Sequence, residues 1–160
     1  MTYRRILVPV DGSTTSNAGV REAVKLAKAQ RARLRLVHVV DEFSAFSTPE
    51  GGINAGTLIN LMKQSGKQIL RRTERLAAGL GAKPETVLCE SVGARVADVI
   101  TQQAKRWRAD LIVMGTHGRR GVNRLLLGSD AELVARSSPA PLLLVRSKGR
   151  ARKAKRSKRK

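Results

Sequence analysis

Leu111-Ile112-Val113-Met114 runs directly into Gly115-Thr116-His117-Gly118-Arg119-Arg120-Gly121-Val122-Asn123-Arg124-Leu125-Leu126-Leu127-Gly128-Ser129, and this stretch decides the fold. The opening is a short, unbroken aliphatic run. A strand wetted on one face alternates apolar with polar residues, whereas a strand with no polar position is covered on both faces. The glycine- and arginine-rich segment that follows reads as a loop, and Ser129 to Arg136 as a short helix. Strand, loop and helix in that order form the repeating unit of a parallel sheet with helical crossovers.

The same unit recurs on the N-terminal side. Arg5 to Val10 is a second apolar run, ended by the turn residues Asp11-Gly12-Ser13. From about Ser16 to Gln30, the residues Ala18, Ala23, Val24, Leu26 and Ala27 fall at helical spacing. Leu34 to Val40 reads as a strand, and Asp41 to Gly56, with Pro49, Gly51 and Gly52, as a long loop of the kind that often carries function. Leu58 to Leu80 is an amphipathic helix carrying Leu58, Leu61, Met62, Ile69, Leu76 and Leu80, stopped by Gly79 or Gly81. Thr86 to Glu90 is a strand, Ala94 to Trp107 a helix with Val96, Val99, Ile100 and Ala104 inward, and Pro141 to Val145 the last strand. Strict alternation predicts a single α/β domain, a five-stranded parallel sheet with helices on both faces and right-handed crossovers, Rossmann-like. Ligands of such sheets sit beyond the carboxyl ends of the strands where strand order reverses, so the loops after the first and fourth strands come first for scrutiny.

Composition agrees. A chain of 160 residues has room for one core, and with aromatics at 2% that core must be built from Val, Leu, Ile and Ala. The single cysteine, Cys89, excludes an intrachain disulfide; it sits in an apolar run, as a core thiol does. No apolar run approaches the roughly 20 residues of a membrane helix, and no signal peptide is visible. The expectation is a soluble, cytoplasmic protein without a membrane partner. Charge is unevenly placed. Arg146 to Lys160 holds ten Lys or Arg and no acid, so half of the net +20 lies on that stretch. Residues 1–146 are therefore read as the folded α/β domain and 147–160 as a disordered basic tail.

Three features make the segment after Met114 a phosphate site on physical grounds. Glycines let a backbone approach a ligand closely. The helix starting at Ser129 offers free N–H groups and a dipole to an anion. Arg119, Arg120 and Arg124 add positive charge, with solvated arginines as the alternative. Ser129 and Glu132 also have capping-box spacing. Other chemistries lack their motifs. Gly66-Lys67 is followed by Gln68 and so is not a P-loop; no G-x-G-x-x-G follows the first strand, and no G-x-S-x-G occurs. His117 has no partner in sequence that would position it as a base, His38 lies within an apolar strand, and the two histidines and one cysteine give no metal-ligand spacing.

Gly115, two residues, Gly118, nine residues, then Gly128-Ser129 matches the nucleotide motif of ATP-binding universal stress proteins. Ile6-Leu7-Val8-Pro9-Val10-Asp11-Gly12-Ser13 and Val37-His38-Val39-Val40 also resemble that family's first two strands. The resemblance covers roughly residues 3 to 146 and omits the tail. It implies that Asp11 contacts the ribose or adenine, and that Pro9 and Val39 line the adenine pocket. Gly115 and Gly118 would lie beneath the ribose and phosphates, with Gly128 and Ser129 holding phosphate. Arg119 is a further phosphate candidate. The implied ligand is ATP, with Mg²⁺ carried by the phosphates, and the implied role is regulation in stress. The family also implies a homodimer paired through Pro141 to Val145, whose edge would otherwise stay unpaired. Two alternatives remain: a slow ATPase or nucleotidyl transferase on the same site, and polyanion binding by the tail, Lys148 to Lys160. The tail lacks the aromatics needed to stack on bases.

Overall fold

Ile6, Leu7 and Val8 have no solvent exposure, the state expected of a strand covered on both sides. They belong to β1 (Arg5–Pro9), the middle strand of a five-stranded sheet in the order β3-β2-β1-β4-β5. The computed structural model describes residues 2–43, 54–116 and 127–147. Within them lie β1, α1 (Thr14–Gln30), β2 (Arg33–Asp41), α2 (Ala55–Gly79), β3 (Glu85–Ser91), α3 (Val96–Trp107), β4 (Leu111–Gly115), α4 (Ser129–Ser137) and β5 (Leu142–Val145). All four pairings are parallel: Arg5 faces Arg33, Ile6 faces Leu111, Arg35 faces Glu85 and Ile112 faces Leu142. The predicted fold class is the observed one.

Because side chains alternate along a strand, the sheet divides its residues between two cores. Ile6, Val8, Leu34, Leu36, Leu111 and Val113 pack with Val20, Ala23, Val24 and Ala27 of α1 and Leu70 and Ala77 of α2. Leu7, Val37, Cys89, Ile112 and Met114 pack with Ala97, Ile100, Ala104 and Trp107 of α3 and Ala131 and Val134 of α4. Each fully buried Leu, Ile or Val contributes about 1.5–3 kcal/mol. Burial pushes the Cys89 thiol pKa up and keeps it in its inert form, as a core thiol.

Two local readings change, and one left as a choice is resolved. α1 begins at Thr14 rather than Ser16, because Ser13 caps it: the Ser13 side chain accepts from the Ser16 N–H at 3.1 Å. α2 stops through Gly81, which takes the left-handed φ of 84° just past the Leu80 cap. Leu61, read as an inward residue, is 51% exposed. The buried stripe of α2 is Gly66, Leu70, Thr73 and Ala77, and Gly66 rests on His38, near the carboxyl end of β2. The turns before Gly66, at 1.5 Å of rise per residue, overhang the sheet.

Candidate functional site

Strand order reverses between β1 and β4, since the chain moves outward one way to β2 and β3 and the other way to β4 and β5. The carboxyl ends of β1 and β4 therefore flank the crevice where ligands of such sheets bind.

The turn leaving β1 is held at nearly every polar atom. Val10 donates its N–H to the Val37 carbonyl at 2.8 Å, and its own carbonyl accepts from His38 Nδ1 at 2.6 Å. A carbonyl can only accept, so His38 carries its proton on Nδ1. That bond, under Gly66, gives His38 a structural place. Asp11 is half-buried, and its Oδ1 accepts from the Ser13 N–H at 2.9 Å, an Asx turn. Ser16 Oγ accepts from the Asp11 N–H at 3.3 Å. Gly12 sits at φ 80°, a conformation L side chains rarely adopt, and Ile69 lies 3.4 Å from where a Cβ would stand. α1 thus begins at the crevice with no acidic residue in its first turn.

β4 meets this turn at Gly115. A Cβ there would lie 2.7 Å from the Thr15 carbonyl carbon and 2.9 Å from the Ser16 nitrogen. Main chain occupies that space, so only glycine fits. Beyond it, the Thr116 N–H donates to Val145 at 3.0 Å, and the Thr116 carbonyl accepts from the Gly128 N–H at 2.9 Å. The residues on either side of the glycine-rich loop are fastened together at Thr116. Gly118, Arg119, His117, Arg120 and Arg124 lie outside the described residues, as do Pro49, Gly51, Gly52 and Lys148 to Lys160.

α4 starts differently from the capping-box expectation. Gly128 is the N-cap, Ser129 is the first helical residue, and no side chain caps the helix. Glu132 reaches forward to Arg136 at 2.8 Å rather than back to the cap. Gly128 has φ −64° and ψ 147°, angles open to any residue, so the backbone does not require glycine there. With no side chain at that position, the N-cap residue itself covers none of the first-turn N–H groups. Asp130 and Glu132 in that turn already complement the helix dipole, a competing charge that the glycine spacing did not reveal.

The predicted residues distribute by face. Pro9 ends β1 opposite Val37, and Val39 stands two residues further along β2. By alternation both share the face of Leu7 and Val37, on the side of α3 and α4; Val39 packs against that core. Gly115 turns the other way, toward α1. Pro9, Asp11, Val39, Gly115, Gly128 and Ser129 thus all belong to the carboxyl end of the sheet, with Pro9 and Val39 supplying apolar surface and α4 supplying N–H groups. Among the described residues, no three His, Cys, Asp or Glu side chains cluster as a metal site, so a Mg²⁺ arriving with phosphates would keep those as its ligands.

Sequence reading missed two features. One is the hydroxyl web of Ser13, Thr15 and Ser16, whose signal was the run of cap-competent residues from Asp11 to Ser16. The other is Lys63, which pairs with Glu42 at 3.1 Å and Glu90 at 2.9 Å across α2, β2 and β3. Hydrogen bonds to Glu90 and then Glu42 raise the Lys63 pKa. Their separation in sequence carries no signal of the contact.

Residues 2–146 match the model of the Universal stress protein family. A universal stress protein of Methanocaldococcus jannaschii is 35% identical over 144 residues, which span 90% of this chain and 82% of the relative. The universal stress protein UspA from Lactobacillus plantarum superposes with a TM-score of 0.77 at 28% identity, over 91% of this chain and 99% of its own. A universal stress protein solved in complex with cAMP superposes with a TM-score of 0.67 at 26% identity, over 91% and 98% of the two chains. With the match running from before β1 to just after β5, and with the strand order already in place, this chain belongs to the universal stress protein family.

Proposed function

We propose that this chain binds an adenine nucleotide, ATP with its Mg²⁺, at the β1–β4 crevice, and acts as a regulatory nucleotide-binding module in a stress response rather than through turnover. The observation that carries the reading is the start of α4. Gly128 caps it without a side chain, held to Thr116 where strand order reverses. Uncovered N–H groups at a helix start favour a phosphate. Pro9 and Val39 offer the base an apolar seat, and Asp11 stands beside it for the ribose. Gly115 seats the start of α1 against β4, Gly118 goes beneath the ribose and phosphates with Arg119 as a phosphate contact, and Ser129 contributes the first helical N–H. The family relative in complex with cAMP supports an adenine ligand.

The family match ends at residue 146, which supports reading 1–146 as the nucleotide-binding domain and 147–160 as an added basic tail. Edge strand β5, Leu142–Val145, is half-buried and apolar along its length, which supports a homodimer paired there. No helix among the described residues is long and apolar enough to cross a membrane, and we place the protein in the cytoplasm.

Calorimetric titration of ATP into the chain ending at Arg146, with GTP as control, tests the reading. Removing the tail prevents its nine cations from holding ATP merely as an anion. Saturable binding of ATP over GTP that Gly128→Val abolishes supports the site. Equal affinity of Gly128→Val and the parent chain removes it. ATP turnover that disappears in Asp11→Ala would move the assignment to a slow ATPase.

A further inference from the structure

The opposite end of the sheet carries a second charged surface that the nucleotide reading does not use. Arg4 precedes β1, Arg31 precedes β2 and Arg108 precedes β4, so these arginines gather at the amino end of the three central strands, Arg31 at the end of α1 on one face and Arg108 at the end of α3 on the other. Lys105 and Arg106 end α3, and Lys83 leads into β3. All six are exposed.

The two acids at this end are already engaged. Asp110 accepts from the backbone N–H groups of Arg4 at 2.8 Å and Arg5 at 2.9 Å. Glu85 holds Arg35, at 3.0 Å from Nε, and Arg33. Among the described residues, none of the six has a carboxylate within 4.0 Å. Helix ends attract cations, and Lys28 meets that need directly by donating to the Leu80 carbonyl at 3.1 Å. Arg31 and Arg108 are another matter. Both are C-cap residues in the left-handed conformation, φ 56° and 54°, where glycine is the unstrained choice. Each keeps a long cation at a position where its backbone is strained. An open cleft of about 350 Å³, rimmed by Lys28, Arg33 and Lys83 and by Glu85, which its two arginines already hold, continues this end toward β3.

We infer that this amino end of the sheet is a docking face for a nucleic-acid duplex, read through its phosphates. Arginine forks suit phosphate oxygens. No exposed aromatic is offered for base stacking, since Trp107 is 6% exposed and lies under Arg35, 4.5 Å from its ring centre. The face also lacks the apolar side chains that enter a lipid surface. Among the described residues, the exposed large hydrophobics are Phe43, Leu61, Val92 and Leu127, all at or beyond the carboxyl ends of the strands. The chain leaves β5 for its basic tail at that opposite end too, so face and tail are separate cation sources.

The test uses the full-length chain and a fluorescent 20-base-pair DNA duplex of arbitrary sequence, with anisotropy read across a KCl series. In the double variant Arg31→Gly/Arg108→Gly the tail is untouched and both strained caps are relieved, so misfolding does not confound the result. The expected outcome is about a tenfold loss of affinity at low salt and a salt slope shallower by about one per arginine removed. Arg31→Lys/Arg108→Lys, which keeps charge and strain, should retain most of the affinity. Unchanged affinity and slope in the glycine variant overturn the inference and leave the tail as the binding element. Loss of binding to vesicles rich in phosphatidylserine, with duplex binding unchanged, overturns it in favour of a membrane face.

Discussion

At the carboxyl ends of its strands the molecule presents backbone; at the amino ends it presents side chains. Parallel topology is the cause. Each helix starts at the carboxyl end of the strand before it, so N–H groups gather there and carbonyls gather at the other end. The carboxyl crevice can therefore hold an anion with glycine, cap and helix start, as at Gly115, Ser13 and Gly128. The amino end begins with negative helix termini, and cations must first offset these and then Glu85 and Asp110. What is left over, Arg4, Arg31 and Arg108 among them, faces outward. On the two proposals made above, one end would take a small ligand at close range and the other a large polyanion at its surface.

The largest expected effect breaks the backbone-built end. Gly115→Ala puts a Cβ 2.7 Å from the Thr15 carbonyl carbon. Because main chain cannot turn aside, urea unfolding should show a loss of about 3 kcal/mol, at the upper end for overpacking, together with loss of ATP binding. Gly66→Ala meets only the side chains of His38 and Leu88 and should cost less; equal losses would mean that the α1–β4 approach is no tighter than the rest of the body.

Next comes the difference between the two helix starts. Ser13→Ala removes a formed cap bond and should cost about 1 kcal/mol. Ser129→Ala removes no cap bond, so its thermal midpoint should stay unchanged while ATP affinity reports on the ligand role. A comparable loss of stability in both would show that Ser129 caps α4 after all.

At the amino end the effects are smaller and of opposite sign. Arg108→Gly relieves a left-handed cap and should stabilise the protein by about 0.5–1 kcal/mol, seen as a raised urea midpoint. The smallest effect is at Glu85. Hydrogen bonds from Arg35 lower its pKa, burial opposes them, and Arg33 assists. A carboxylate whose folded pKa is depressed contributes stability above its unfolded pKa and loses it as pH falls through the folded value. Stability should therefore drop below about pH 4.3, the ordinary Glu pKa, by less than about 1 kcal/mol after solvent screening. Glu85→Gln should lack that component and bind the duplex more tightly.

Much of the fold could be read from sequence because it rests on local pattern. The aliphatic runs at Ile6–Val8 and Leu111–Met114 allow no wet face, and the alternation with helices leaves little but a parallel sheet. Gly115 was likewise legible, because a glycine ending an aliphatic run marks a close backbone approach, here to Thr15 and Ser16. What escaped depends on three-dimensional neighbours. Nothing near Leu61 in sequence says that α2 overhangs the sheet, since that follows from where Gly66 lands on His38. The capping box failed because Ser129 fell one residue inside the helix, a register that spacing alone does not fix. The amino-end arginines looked like scattered surface charge, since Arg4, Arg31 and Arg108 come to one end of the molecule only when β2, β1 and β4 lie side by side.

The two borders of the sheet are not equivalent. β3 is bordered by Glu85 with its two arginines and by Glu90 with Lys63, and charged borders of this kind resist further strand addition. β5, Leu142-Leu143-Leu144-Val145, carries no charge at all. Under the proposed pairing, the molecule would have a valence of one for strand addition: two copies joined through β5 would present only guarded borders to a third, and association along the sheet would end at a pair rather than propagate into a fibre.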